Sequence, residues 1–219
     1  IDLPNHGDST LLPDSLPLSY QRCLEMINIA IGEISQECDN IVLFGQSFGA
    51  RLVFDLMAAT DVSIAGVFLT GFPAKFQMSE ELVKKIGALN LEVNHNSENQ
   101  EQNFVNAWTK ILELYTYAPL PSDVFTALTS NLKQEGNELL LNDVPPIENM
   151  AEIVRSKSKN YPIAVIEGDA DGVVPDDNFA KLKAVIPSAL FYKFPNCGHF
   201  PMVEREAETL KVFSRNLSK

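Results

Sequence analysis

The run Gly45-Gln46-Ser47-Phe48-Gly49 sets a serine between two glycines, with an apolar β-rich run (Ile41-Val42-Leu43-Phe44) before it. After it, Leu52, Val53, Leu56 and Met57 recur at helical spacing from Ala50 to Ala59. A G-x-S-x-G run between a buried strand and a helix is a sharp turn. Glycine lets the neighbouring backbone approach there, and the serine takes up a strained conformation. The turn lifts the hydroxyl above the sheet at a helix N-terminus, where the helix dipole and the Phe48 N–H can stabilise an oxyanion. The chemistry to expect is nucleophilic attack by Ser47 on a carbonyl.

A serine nucleophile needs a base, and the chain has three histidines, His6, His95 and His199. His199, in Asn196-Cys197-Gly198-His199-Phe200, falls between the last predicted strand and the last predicted helix, where a loop can swing toward Ser47. His95 lies in a polar break, Asn94–Gln100, where a solvated histidine is the default. His6 lies in the turn-forming run Asn5-His6-Gly7-Asp8-Ser9. His199 is the expected base. Its orienting carboxylate should come from Gly168-Asp169-Ala170-Asp171-Gly172-Val173-Val174-Pro175. Asp171, in a G-x-x-D position with proline four residues on, is preferred, and Asp169 is the alternative that only solvates or caps the loop.

The elements that must position these residues alternate. A helix is expected from Ser19, its N-cap, to about Glu37, with Leu24, Ile27, Ile31 and Ile34 on one face. Strands are expected at 41–45, at Ile64–Thr70 (closed by Gly71-Phe72-Pro73), at Ile163–Glu167 and at Ala189–Phe194. Helices are expected at 50–59, 176–186 and Pro201–Leu217. Such alternation implies an α/β fold, a mostly parallel sheet with helices on both faces. The stretch 74–160 shows no strong strand and helical patterns at 79–88, 101–117, 121–135 and 147–157. It reads as a helical lid inserted into a core formed by 1–73 and 161–219.

The 219 residues are 45% hydrophobic, enough for a sizeable core. Apolar runs are strand-length, well short of the ~18–20 residues that span a bilayer, so no membrane span is expected. A net charge of −12 repels polyanions, and no basic stripe offsets it, so nucleic acid is not an expected partner. Three cysteines are too few for a disulfide framework. Cys23 and Cys38 lie on one predicted helix about 22 Å apart at the helical rise, beyond bridging distance. This usage fits reduced thiols and a cytoplasmic location. No Cys/His cluster for zinc is present, and neither metal nor cofactor is expected.

Together these pieces resemble the α/β-hydrolase superfamily, the lid-bearing type that includes small esterases, thioesterases and C–C bond hydrolases. The elbow, the acid loop and Gly198-His199-Phe200 carry the resemblance. So does Asp2-Leu3-Pro4-Asn5-His6-Gly7-Asp8-Ser9, similar to the family's D-[LR]-x-[GN]-H-G-x-S loop. The order Ser47, Asp171, His199 is the family's order. The resemblance makes His6 structural. It also implies two or three sheet strands before residue 1, with a loop donating a second oxyanion N–H; both are expected to lie outside these residues.

The implied activity is cleavage of a carboxylic ester or thioester through an acyl-enzyme on Ser47. The partner is a small acyl substrate, with a homodimer open. Aromatic and apolar residues of the insertion (Phe76, Phe104, Trp108, Leu112, Tyr115, Tyr117, Phe125, Leu128) suggest a hydrophobic pocket, although most could simply pack its helices together. Gln46, Arg51 and Trp108 are the expected substrate-binding residues. Arg51 also makes the run similar to the G-x-S-[LM]-G-G-R of the menaquinone-pathway synthase. That similarity keeps a lyase or C–C bond-acting reading open, as does a non-catalytic receptor or scaffold on the same fold.

Overall fold

The computed structural model describes residues 3, 8–9, 18–89, 100–130, 143–175 and 177–217. His6, His95, the polar break at 94–99, all but Leu3 of the strand end expected at 1–4 and the helical pattern at 131–135 lie outside these residues.

Four strands form one sheet: β1 (Ile41–Gln46), β2 (Ile64–Thr70), β3 (Ile163–Gly168) and β4 (Leu190–Phe194). Their order is β1-β2-β3-β4 and every pairing is parallel. The central strands are buried on both faces, which is why β2 and β3 read as continuous apolar runs rather than alternating ones. The register aligns Gln46 with Thr70 and Thr70 with Ile166, so the carboxyl ends of β1, β2 and β3 come level.

Helices α1 (Tyr20–Ile34) and α2 (Phe48–Ala59) flank β1, and α3 (Glu80–Ala88), α4 (Gln100–Glu113), α5 (Ser122–Ser130) and α6 (Glu148–Lys157) lie between β2 and β3. Next come α7 (Asn178–Val185), α8 (Pro201–Glu204) and α9 (Glu206–Leu217). One sheet face packs Val67, Leu69, Ile163 and Val165 against Phe54 and Met57 of α2, Val154 of α6 and Leu182 of α7. The other packs Phe68, Ala164 and Ile166 against Val212 of α9. Each of these side chains larger than alanine, fully buried, stabilises the fold by roughly 1.5–3 kcal/mol. Ser19 caps α1, its hydroxyl accepting from the Arg22 N–H at 3.2 Å. Among the described residues no helix is long and apolar enough to cross a membrane.

Two sequence expectations are corrected. The insertion was expected to run to residue 160, but Ile147, Ala151 and Val154 are buried in the main core. A parallel β2-to-β3 crossover needs a helix packed back on the sheet, and α6 is that helix. The last helix was expected as one piece, but it breaks at Arg205 (φ −135°, ψ 51°) into α8 and α9. Past the break, the Arg205 guanidinium donates to the Pro195 carbonyl at 2.9 Å instead of lying along a continuous helix.

Candidate active site

Three described residues adopt left-handed backbone: Ser47 (φ 53°), Gly71 (φ 51°) and Asn196 (φ 51°). They follow the carboxyl ends of β1, β2 and β4, so local strain collects at one rim of the sheet. For the two non-glycines it costs on the order of 1–3 kcal/mol each, less for asparagine, which tolerates this region.

The elbow is built from adjacent residues and one carbonyl of β2. The Ser47 N–H donates to the Thr70 carbonyl at 2.9 Å, and the Ser47 carbonyl accepts the first helical bond from Arg51 at 3.2 Å. A Cβ on Gly45 would lie 2.5 Å from the Gly49 oxygen and 2.6 Å from Ala50 Cα, so only glycine fits there. A Cβ on Gly49 would meet no heavy atom within 4 Å outside its own helix turn among the described residues. The expectation that both elbow glycines serve close approach is therefore corrected to one. The Ser47 hydroxyl does not cap α2 and has no hydrogen-bond partner among the described residues. Phe48 opens α2, so its N–H has no acceptor within the helix.

The base loop is built from distant pieces. His199 Nδ1 lies 2.8 Å from Asp171 Oδ2, and both side chains are buried. The other Asp171 oxygen accepts the Val173 N–H at 2.9 Å, which fixes the carboxylate plane. Of the two acid-loop carboxylates, Asp171 is the one that meets His199; Asp169 is exposed. The imidazole sits against Gly71, where a Cβ would come 2.9 Å from Cε1 and 3.0 Å from Nδ1. Gly71 follows Thr70, the residue whose carbonyl holds the Ser47 N–H, so the end of β2 brings elbow and imidazole together. A Cβ on Gly168 would lie 2.1 Å from the Cys197 oxygen, which shows how closely the base loop crosses the end of β3.

A serine on a strained strand–helix elbow, with a buried His–Asp pair beside it in that chain order, is a hydrolase constellation. The sequence model of the alpha/beta hydrolase family matches residues 1–212. This chain belongs to the alpha/beta hydrolase family. Its fold is shared by a putative aryl esterase from Burkholderia cenocepacia (21% identity, TM-score 0.75), with 100% of this chain and 79% of that one covered. It is also shared by MenH from S. aureus (18%, 0.72), covering 100% of this chain and 82% of that one. A third is the meta-cleavage product hydrolase from Pseudomonas fluorescens IP01 (16%, 0.69), covering 99% and 78%. No curated protein matches the chain significantly in sequence.

Within this alpha/beta hydrolase the three expected substrate-binding residues are otherwise engaged. Gln46 Nε2 donates to the His199 carbonyl at 2.8 Å, and its Oε1 accepts from the Thr70 hydroxyl at 3.0 Å, so both ends of the amide are used. Arg51 is 2% exposed; it pairs with Asp55 at 3.2 Å and donates to the Pro145 carbonyl. Burial pushes the Asp55 carboxyl up, while Tyr20 and Arg51 oppose this through hydrogen bonds and charge. Arg51 is thus a core residue tying α2 to the chain before α6, because a buried guanidinium needs every partner it can reach. Trp108 stacks edge-on with Tyr115 at 6.3 Å, and Tyr115 in turn meets the His199 ring at 5.7 Å. Among the described residues that tyrosine links it to the site.

Burial raises three other ionisable groups around the pair. Burial, then the charge of Glu204, pushes the Cys197 thiol up to about 12, so it offers no competing thiolate. Burial and the Asp171 charge push the Tyr115 phenol up to about 12. Glu167, on β3 behind the acid loop, is pushed up to about 7 by burial, against the Asn178 amide (3.1 Å) and Lys193. A cleft of about 670 Å³ opens beside α3 and the acid loop, reaching Asp171 but lined by neither Ser47 nor His199. Among the described residues no group of three or more His, Cys, Asp or Glu is gathered for a metal ion.

In the sequence Gly71 shows only as the glycine closing a buried strand and Tyr115 only as one aromatic of the insertion, and nothing there points to Asn178 or Glu204. Tyr115, Asn178 and Glu204 act through contacts tens of residues away along the chain or through backbone groups.

Proposed function

We propose that this chain is a serine hydrolase that cleaves a carboxylic ester or thioester through an acyl-enzyme on Ser47. The observation that carries the reading is the buried 2.8 Å contact between His199 and Asp171, seated on the strand end that also holds the Ser47 N–H.

The His199 Nδ1–H, donated to Asp171, leaves Nε2 free to accept the Ser47 proton as Oγ attacks the substrate carbonyl. Negative charge gathers on the carbonyl oxygen, where the Phe48 N–H and the α2 dipole stabilise it. His199 returns the proton to the departing alcohol or thiol, and the acyl group stays on Ser47. Water then gives a proton to His199 and attacks the ester. Collapse releases the acid and returns the proton to Ser47. The residues between β2 and α6 form the lid, and their apolar side chains favour an apolar acyl group. The Arg51 guanidinium, bonded to Asp55 and Pro145, adds no support of its own to the lyase reading.

A fluorophosphonate probe should label the wild-type protein at one residue, and Ser47→Ala should abolish labelling and hydrolysis of short p-nitrophenyl esters. Equal labelling of the two proteins, or none of the wild type, would overturn the reading.

A further inference from the structure

We infer that Glu204 is the positioning residue of the base loop, clamping the backbone on both sides of His199 to the helical insertion. Its side chain folds back from the end of α8. Oε2 accepts the Gly198 N–H at 3.0 Å and the Tyr117 N–H at 2.7 Å, and Oε1 accepts the Phe200 N–H at 3.1 Å. One carboxylate therefore holds the residues immediately before and after His199, and a residue of the insertion as well.

The remaining backbone groups of His199 are also engaged. Its N–H donates to the Tyr115 carbonyl at 2.7 Å, and its carbonyl accepts from Gln46 at 2.8 Å. The seam is tight: a Cβ on Gly198 would lie 2.5 Å from the Tyr115 oxygen and 2.8 Å from the Tyr117 nitrogen. No side chain fits between loop and insertion, so Glu204 grips the seam from its edge. Without it, three backbone donors in a crowded, half-buried seam would lose their acceptor at once.

An ionised carboxylate is the side chain suited to this task. It is acceptor-only, with about four lone-pair directions, and its bonds to backbone N–H groups are stronger than neutral ones. A glutamine of the same shape would present an NH₂ to at least one of the three donors. The loop would remain folded, because Tyr115 and Gln46 still hold it. The imidazole would lose its fixed position above Gly71, and displacements on the order of 1 Å at a reacting group cost about 10²-fold in rate.

The inference rests on the serine hydrolase reading, and one experiment separates the two. The rate of Ser47 phosphonylation by a fluorophosphonate, and kcat and KM on a p-nitrophenyl ester, are compared in wild type, Glu204→Gln and Glu204→Asp. Thermal unfolding is followed in parallel. The expected result is a fall of 10-fold or more in phosphonylation rate and in kcat for Glu204→Gln, with KM within about twofold and cooperative melting retained. Glu204→Asp, which keeps the charge on a shorter stem, should recover part of the rate. Wild-type protein that does not label would sink the hydrolase reading. Labelled wild type with equally fast Glu204→Gln would sink only the clamp. Loss of cooperative melting in both variants, or a rise in KM with kcat unchanged, would also overturn the clamp, making Glu204 a folding or a substrate-binding residue.

Discussion

Ser47 and His199 each stand at or beside a left-handed residue beyond a strand end, yet their surroundings differ in kind. The elbow is held mostly by its own neighbours: Gly45 admits Gly49 and Ala50, Arg51 closes the first helical turn, and the Thr70 carbonyl of β2 is added at the Ser47 N–H. The base loop is held by residues far from it in sequence, with Gly71 beneath, Gln46 and Tyr115 on its backbone, and Asp171 on its ring. A local device can be written as a five-residue motif. A device assembled from five separate segments cannot, and its failure modes are correspondingly diffuse.

The largest effect should come from breaking the distant side at its ring contact. Asp171→Asn keeps the size of the group but favours the wrong imidazole tautomer, and kcat should fall on the order of 10⁴-fold with little change in stability. Steady-state ester hydrolysis together with a melting curve reads both, and a loss under tenfold would show that another group orients His199.

The local side is tested by its two glycines. Gly45→Ala should destabilise by at least about 3 kcal/mol, since the clash is with backbone that cannot turn away. Gly49→Ala, in a helical position with open space around it, should be neutral or stabilising by up to about 1 kcal/mol. Urea unfolding of both variants checks the contrast, and equal destabilisation would contradict the asymmetry.

A smaller effect sharpens the electrostatics under the acid loop. The Glu167 carboxyl is raised to about 7 in the folded protein, so its contribution to stability is complete below the ordinary carboxylate range and disappears as pH rises through about 7. Wild type should lose roughly 2–3 kcal/mol between pH 4 and pH 8 that Glu167→Gln does not lose. Unfolding midpoints at the two pH values measure the difference, and parallel pH profiles for the two proteins would refute it.

The sheet was legible because β2 and β3 are apolar until their last residues and bounded by glycine or proline, and the observed strands agree with the expected ones to within one or two residues. The elbow was legible because its physics is contained in adjacent residues. Gln46 and Arg51 were misread for one reason: a polar side chain beside a nucleophile looks the same in sequence whether it faces substrate or bonds to a residue ninety or more positions on. Glu204 gave no signal, since its partners are backbone groups, and every residue but proline carries the same N–H. The break at Arg205 was hidden by helical periodicity on both sides of it.

Trp108 is the chain's single tryptophan. Its place in the aromatic series Phe104, Trp108, Tyr115, His199 gives the protein a built-in optical reporter. Light absorbed selectively by that indole is emitted beside a tyrosine whose ring touches the imidazole. Any rearrangement of the base loop should therefore change the emission without an added dye, so acyl-enzyme formation could be followed by stopped-flow fluorescence even with a colourless substrate.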